Sequence, residues 1–71
     1  LFSITPNPAS KEIRINGNVE IHKVEIFNLV GNIIEETIDS KIDVSNYSNG
    51  IYIAKLTLES GVYTISFVVK K

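Results

Sequence analysis

Residues 50–69 read Gly-Ile-Tyr-Ile-Ala-Lys-Leu-Thr-Leu-Glu-Ser-Gly-Val-Tyr-Thr-Ile-Ser-Phe-Val-Val. Tyr52, Ala54, Leu56 and Leu58 recur at every second position, Glu59-Ser60-Gly61 interrupts them, and Tyr63, Ile65, Phe67 and Val69 resume the alternation. Successive side chains of a strand point to opposite faces, so this spacing describes two strands, each with one apolar face, joined by a tight turn. A helix would need apolar residues at intervals of three and four. The stretch therefore predicts an antiparallel hairpin whose apolar face, Tyr63 included, is turned to a core.

The same period extends upstream. Ser45-Asn46-Tyr47-Ser48-Asn49-Gly50 is rich in turn formers, and before it Ile42 and Val44 mark a short strand. Val24 and Ile26 open another, which continues through Phe27-Asn28-Leu29 and turns at Gly31 into Ile33-Ile34-Glu35-Glu36-Thr37-Ile38. Lys11 to Asn16 alternates, Asn16-Gly17-Asn18 reads as a hairpin turn, and Val19 and Ile21 resume the pattern beyond it. The step of three from Ile21 to Val24 requires a bend or bulge around His22-Lys23. Leu1-Phe2-Ser3-Ile4 can add an edge strand. Thr5-Pro6-Asn7-Pro8-Ala9-Ser10 then holds both prolines of the chain, and reads as a stiff, donor-poor connector at a strand start or sheet edge. The expected fold is all-β, a small immunoglobulin-like sandwich of about seven antiparallel strands.

The 71 residues make one domain, residues 1–71, of a size that buries only about 60% of its unfolded surface. With no Cys, no disulfide supports it, and with a single His a structural zinc site lacks ligands. A net charge of -1 offers no field for phosphate backbones or anionic lipid, so neither nucleic acid nor membrane is an expected partner. No apolar run approaches the roughly 18 residues of a membrane span. A sequence opening on Leu1 rather than Met suggests a terminal module cut from a longer protein.

Chemistry finds little to work with. His22 is the sole imidazole, between Glu20 and Lys23 at the suspected bend, and a surface role suits it better than a catalytic one. Glu35 and Glu36 are neighbours on a strand and point to opposite faces. Asp39 and Asp43 lack the dense spacing of a calcium loop. Asn46-Tyr47-Ser48 matches the glycosylation triplet but carries little weight. Tyr47, Tyr52 and Tyr63 would suit a sugar-stacking platform, yet two of them fall on core positions. No catalytic residue, metal or cofactor is expected, and the protein is read as a non-enzyme.

Four features in order, Thr5 to Ser10, Val24 to Ile34, Ile42 to Leu56 and Phe67 to Lys71, resemble the C-terminal sorting domain of the type IX secretion system of Gram-negative bacteria, type A. The residues that carry the resemblance are Pro6-Asn7-Pro8 after a short strand, Leu29-Val30-Gly31 at a turn, Gly50-Ile51-Tyr52 after a Ser-rich approach, and Phe67 to Lys71. Tyr47-Ser48 stands where Leu-Pro is common in the family, and Asn28 where Asp is frequent.

The resemblance implies an address tag whose recognition motif comprises Pro6, Asn7, Pro8, Gly31, Gly50, Tyr52, Val69, Lys70 and Lys71. Its implied partners are the type IX outer-membrane translocon, its shuttle proteins and a sortase-like cysteine peptidase that removes the tag at or before Leu1. The implied route runs through the periplasm to the outer membrane, cell surface or medium. Lys70 and Lys71 admit two readings, edge protection or receptor contact, and the resemblance favours contact. The alternative is an accessory module that binds carbohydrate or spaces domains in a secreted enzyme.

Overall fold

A computed structural model describes residues 2–18 and 20–71. Its strands are β1 (Ser3–Thr5), β2 (Glu12–Asn16), β3 (Lys23–Asn28), β4 (Ile33–Thr37), β5 (Lys41–Asp43), β6 (Gly50–Leu58) and β7 (Gly61–Val69). They form a three-stranded sheet in the order β1-β2-β5 and a four-stranded sheet in the order β4-β3-β6-β7. Every ladder is antiparallel. The chain is the all-β sandwich that the period of two predicts, and the strand distribution is compatible with an immunoglobulin-like topology.

Alternation decides which side chains face inward. Ile4, Ile13, Ile15 and Ile42 from one sheet meet Val24, Ile26, Ala54, Leu56 and Phe67 from the other, all buried. Among the described residues no polar or charged side chain is buried. With no cysteine for a disulfide, this apolar contact between sheets is the main source of stability.

The β6–β7 hairpin is as read: the pairing runs from Gly50↔Val69 to Leu58↔Gly61, with Glu59 and Ser60 forming the loop. The β3–β4 turn is a three-residue loop. The Gly31 N–H donates to the Asn28 carbonyl at 3.1 Å, the Asn28 N–H donates to the Asn32 carbonyl at 3.1 Å, and Gly31 has φ of 96°. A residue in the left-handed region after a type I turn closes such loops, which is why Gly stands there. The Asn28 side chain reinforces the turn, its Oδ1 accepting from the Val30 N–H at 3.1 Å and the Asn32 N–H at 3.0 Å. Both bonds use an acceptor that a carboxylate supplies equally well, so Asn replaces the more frequent Asp without loss.

Two expectations are corrected. Asn16-Gly17-Asn18 does not close a hairpin, because both edges of β2 are already occupied by β1 and β5. The segment instead leads across to β3 in the other sheet; Glu20 to His22 are not strand, and Val19 lies outside the described residues. Tyr63 lies on the predicted face, opposite Leu56, but it is 47% exposed. β1 spans only Ser3–Thr5 and does not extend over that corner, where Phe2 is its aromatic neighbour at 6.1 Å between ring centres.

Truncating the centre of the core should differ sharply from truncating the turn. Leu56→Ala, at a fully buried position, should cost about 2–5 kcal/mol by urea denaturation. Leu29→Ala, where the side chain is 65% exposed, should stay within about 0.5 kcal/mol.

Candidate functional site

The connector Pro6-Asn7-Pro8 does not hang free. Both of its X–Pro bonds, Thr5–Pro6 and Asn7–Pro8, are cis. Ala9 forms a parallel bridge with Val69: its N–H donates to the Val68 carbonyl at 2.8 Å, and its carbonyl accepts from the Lys70 N–H at 2.8 Å. Prolines on either side of Asn7 leave few main-chain donors, and a side chain completes the ladder. Asn7 Oδ1 accepts from the Val68 N–H at 2.9 Å. A segment that leaves β1 in one sheet is thereby fastened to the outer edge of β7 in the other, and the buried Ala9 fills the corner.

Lys71 is held by the loop before β6. Asn49 Oδ1 accepts from the Lys71 N–H at 2.9 Å, and the Lys71 ammonium donates to the Ser45 carbonyl at 2.5 Å. Val68 to Lys71 thus lie between two asparagines distant in sequence, with Val69 buried and the side chains of Lys70 and Lys71 exposed. Lys71 spends its charge on this clasp.

Tyr52 anchors the same loop from beneath. Its hydroxyl donates to the Ser48 carbonyl at 2.7 Å, four residues upstream, which is the geometry of a tyrosine corner. Its ring packs between Tyr47, 5.1 Å away, and Phe67, 5.8 Å away. The bond to Ser48 uses only the main-chain carbonyl, which a proline would retain, so the departure from Leu-Pro leaves the corner intact. The Tyr47 hydroxyl donates to Glu35 Oε1 at 2.6 Å, tying the loop to β4. Burial, then this bond to a carboxylate, pushes the Tyr47 phenol well above the usual tyrosine range. Asp43, accepting from the Ser45 N–H at 2.8 Å, is held below the usual carboxylate range by hydrogen bonding to Ser45.

The pairings Asn28↔Tyr52 and Tyr52↔Phe67 place the β3–β4 turn, the start of β6 and the end of β7 at one end of the four-stranded sheet. Pro6, Asn7, Pro8, Gly50, Tyr52, Val69, Lys70 and Lys71 gather around the clasp. Gly31 shares that end but sits across the sheet, in the turn between β3 and β4. Beside it Leu29 is 65% and Val30 84% exposed, an apolar tip that the turn lifts into solvent. Asn49 and Ser45 also belong to the clasp, and no periodicity marks them.

The chemistry-bearing residues are scattered. His22 is exposed in an open hollow with Glu20, Glu59 and Ser60. Glu12 pairs with Arg14 at 3.6 Å and Lys41 at 3.7 Å on the outside of the three-stranded sheet, contacts worth little in water. No group of three potential metal ligands occurs among the described residues.

The sequence profile of a family described as the secretion system C-terminal sorting domain matches residues 3–70. The chain belongs to this type IX sorting-domain family. The match takes in all seven strands and the proline connector and ends at Lys70, one residue short of the Lys71 contacts, and membership makes the domain a sorting signal for secreted or cell-surface cargo that works with the type IX secretion machinery. No curated protein matches the chain.

Two measurements probe the sorting domain's clasp. Asn7→Ala should leave the Val68 amide without its protein acceptor, speed its hydrogen exchange and cost about 1 kcal/mol. The Tyr47 phenol, raised in the folded state above its ordinary value of 10.0, favours folding below about pH 10 and loses that contribution as pH rises. The stability gap between wild type and Tyr47→Phe should therefore stay constant up to about pH 9.5 and narrow as pH rises above about 10 in urea denaturation.

Proposed function

We propose that the clasp end is the face by which the type IX outer-membrane translocon and its shuttle proteins read the cargo, and that a sortase-like cysteine peptidase then severs the chain at or before Leu1. The observation that carries this reading is the convergence of the motif residues, separated by up to 65 positions between Pro6 and Lys71, on one end of the sandwich. A receptor placed there meets a rigid surface: the exposed Lys70 side chain, the proline connector leading to the cargo, and the apolar Leu29-Val30 tip.

The domain acts as the object of the chemistry rather than its agent. Its one imidazole lies outside the clasp, in the open hollow with Glu20, Glu59 and Ser60. The two prolines hold the connector in one direction, so the upstream peptide enters the peptidase at a defined angle. The accessory-module alternative receives less support, since Tyr52 is buried and Tyr47 half-buried, which leaves Tyr63 as the one exposed ring of the three tyrosines.

Fused behind a reporter with a signal peptide in a type IX host, the domain should carry the reporter to the cell surface, whereas an accessory module would leave it in the periplasm. Lys70→Ala keeps the main-chain bond to Ala9 and should preserve the urea midpoint while lowering export by about tenfold, roughly 1.4 kcal/mol of lost recognition. Replacement of Pro6 and Pro8 by Ala should impair export or processing while leaving the fold largely intact. Full export of both variants would contradict the reading.

A further inference from the structure

Four strand edges bound the two sheets, and three carry devices that discourage further pairing. β1 is three residues long and runs into Pro6. β5 is three residues long, with Lys41 and Asp43 at its ends. β4 carries Glu35 and Glu36 opposite a bulge between Ile26 and Phe27. β7 differs. Its far end is covered by Asn7 and Ala9, but Val62-Tyr63-Thr64-Ile65-Ser66 contains no charge, proline or glycine.

Main-chain groups alternate along an antiparallel strand. Val68 and Lys70 turn theirs outward to the connector, so Val62, Thr64 and Ser66 turn theirs outward too. Among the described residues no hydrogen bond from the connector reaches these three. Val62 is 54% exposed, and Thr64 and Ser66 are exposed as well.

We propose that the outer edge of β7 over Val62–Ser66 is a strand-acceptor site that takes an extended, uncharged peptide of another protein as an additional strand of the four-stranded sheet. The open N–H and C=O groups specify a strand, since only an extended backbone presents complementary groups at that spacing. With no charge on the edge, a charged side chain in the incoming strand would lose water without gaining a partner, which favours a neutral segment. A second copy is a poor occupant. A stable dimer takes about 800 Å² from each partner, roughly one-sixth of the 4568 Å² of accessible surface here, and a five-residue edge supplies far less. The site suits a transient contact beside the clasp. That the strand comes from the export machinery rests on the sorting reading; the chemistry of the edge does not.

Two arms test this. In the first, the 15N-labelled domain is titrated with the acetylated, amidated peptide Thr-Val-Thr-Val-Thr-Val. The amides of Val62, Thr64 and Ser66 should exchange at least about tenfold more slowly with peptide, and Thr64→Pro should remove the effect. Should Thr64→Pro not fold, Thr64→Lys serves instead. Unchanged exchange at these amides overturns the proposal, as does protection that grows with domain concentration alone, which would assign the edge to a second copy. In the second arm, Thr64→Lys in the reporter fusion should lower export by about tenfold with an unchanged urea midpoint, while Glu36→Lys on the opposite edge exports normally. Equal export of wild type and Thr64→Lys overturns the role of this edge in export. A wild-type fusion that stays in the periplasm overturns the sorting reading alone, and the peptide arm then decides the edge.

Discussion

The fold depends on the passage of one segment between sheets. β1 lies in the three-stranded sheet, and a few residues later Ala9 exchanges two main-chain hydrogen bonds with the end of β7 in the four-stranded sheet. A sandwich this small has only side-chain contact to keep its layers in register, and a side chain slides more readily than a ladder. The bonds at Ala9, together with the Asn7 and Asn49 side chains, pin the last strand to both the first and the loop before β6. The strand farthest along the sequence is consequently among the best fastened, although one of its edges faces water.

This arrangement makes the proposed recognition end a property of the folded chain. Surface motifs scattered along an unfolded chain present no single face. They come together when β7 has paired with β6 and the connector has closed over its end, which requires nearly every residue to be in place. A receptor that binds this end discriminates a folded tag from an unfolded one through geometry, because ordering the same residues on an unfolded chain would cost conformational entropy at each of them.

Much of the scaffold is legible in the sequence because burial on one face imposes a period of two, and residues 50–69 display it with few interruptions. What periodicity conveys is the face, not its cover. Tyr63 alternates correctly and is nonetheless half exposed, because the opposing sheet ends before reaching it. Asn16-Gly17-Asn18 has the composition of a hairpin turn, yet local composition cannot tell a return from a crossing; that choice was made by Ile42 and Ile4, which place β5 and β1 on the two sides of β2. The clasp is the least legible part. Asn7 and Asn49 act as acceptors for main-chain groups 61 and 22 residues away, and an asparagine in a polar loop looks the same whether or not it does so. The resemblance of the motifs marked Pro6 to Pro8, Gly50, Tyr52 and the lysines, without indicating that they touch.

The apolar residues left outside the core follow from the same economy. Leu29 and Val30 lie in the β3–β4 turn, beyond the end of the sheet, and Ile33 and Ile34 open the edge strand β4 beside its bulge. Isolated exposed apolar side chains are ordinary, but an adjacent pair at a turn stabilised by Asn28 and closed by Gly31, with a second pair just beyond it, is costly to keep in solution. The turn is rigid: four hydrogen bonds converge on Asn28 and its neighbours. Rigidity lowers the entropy lost when such a tip enters a partner, so the same residues that disfavour solubility favour docking.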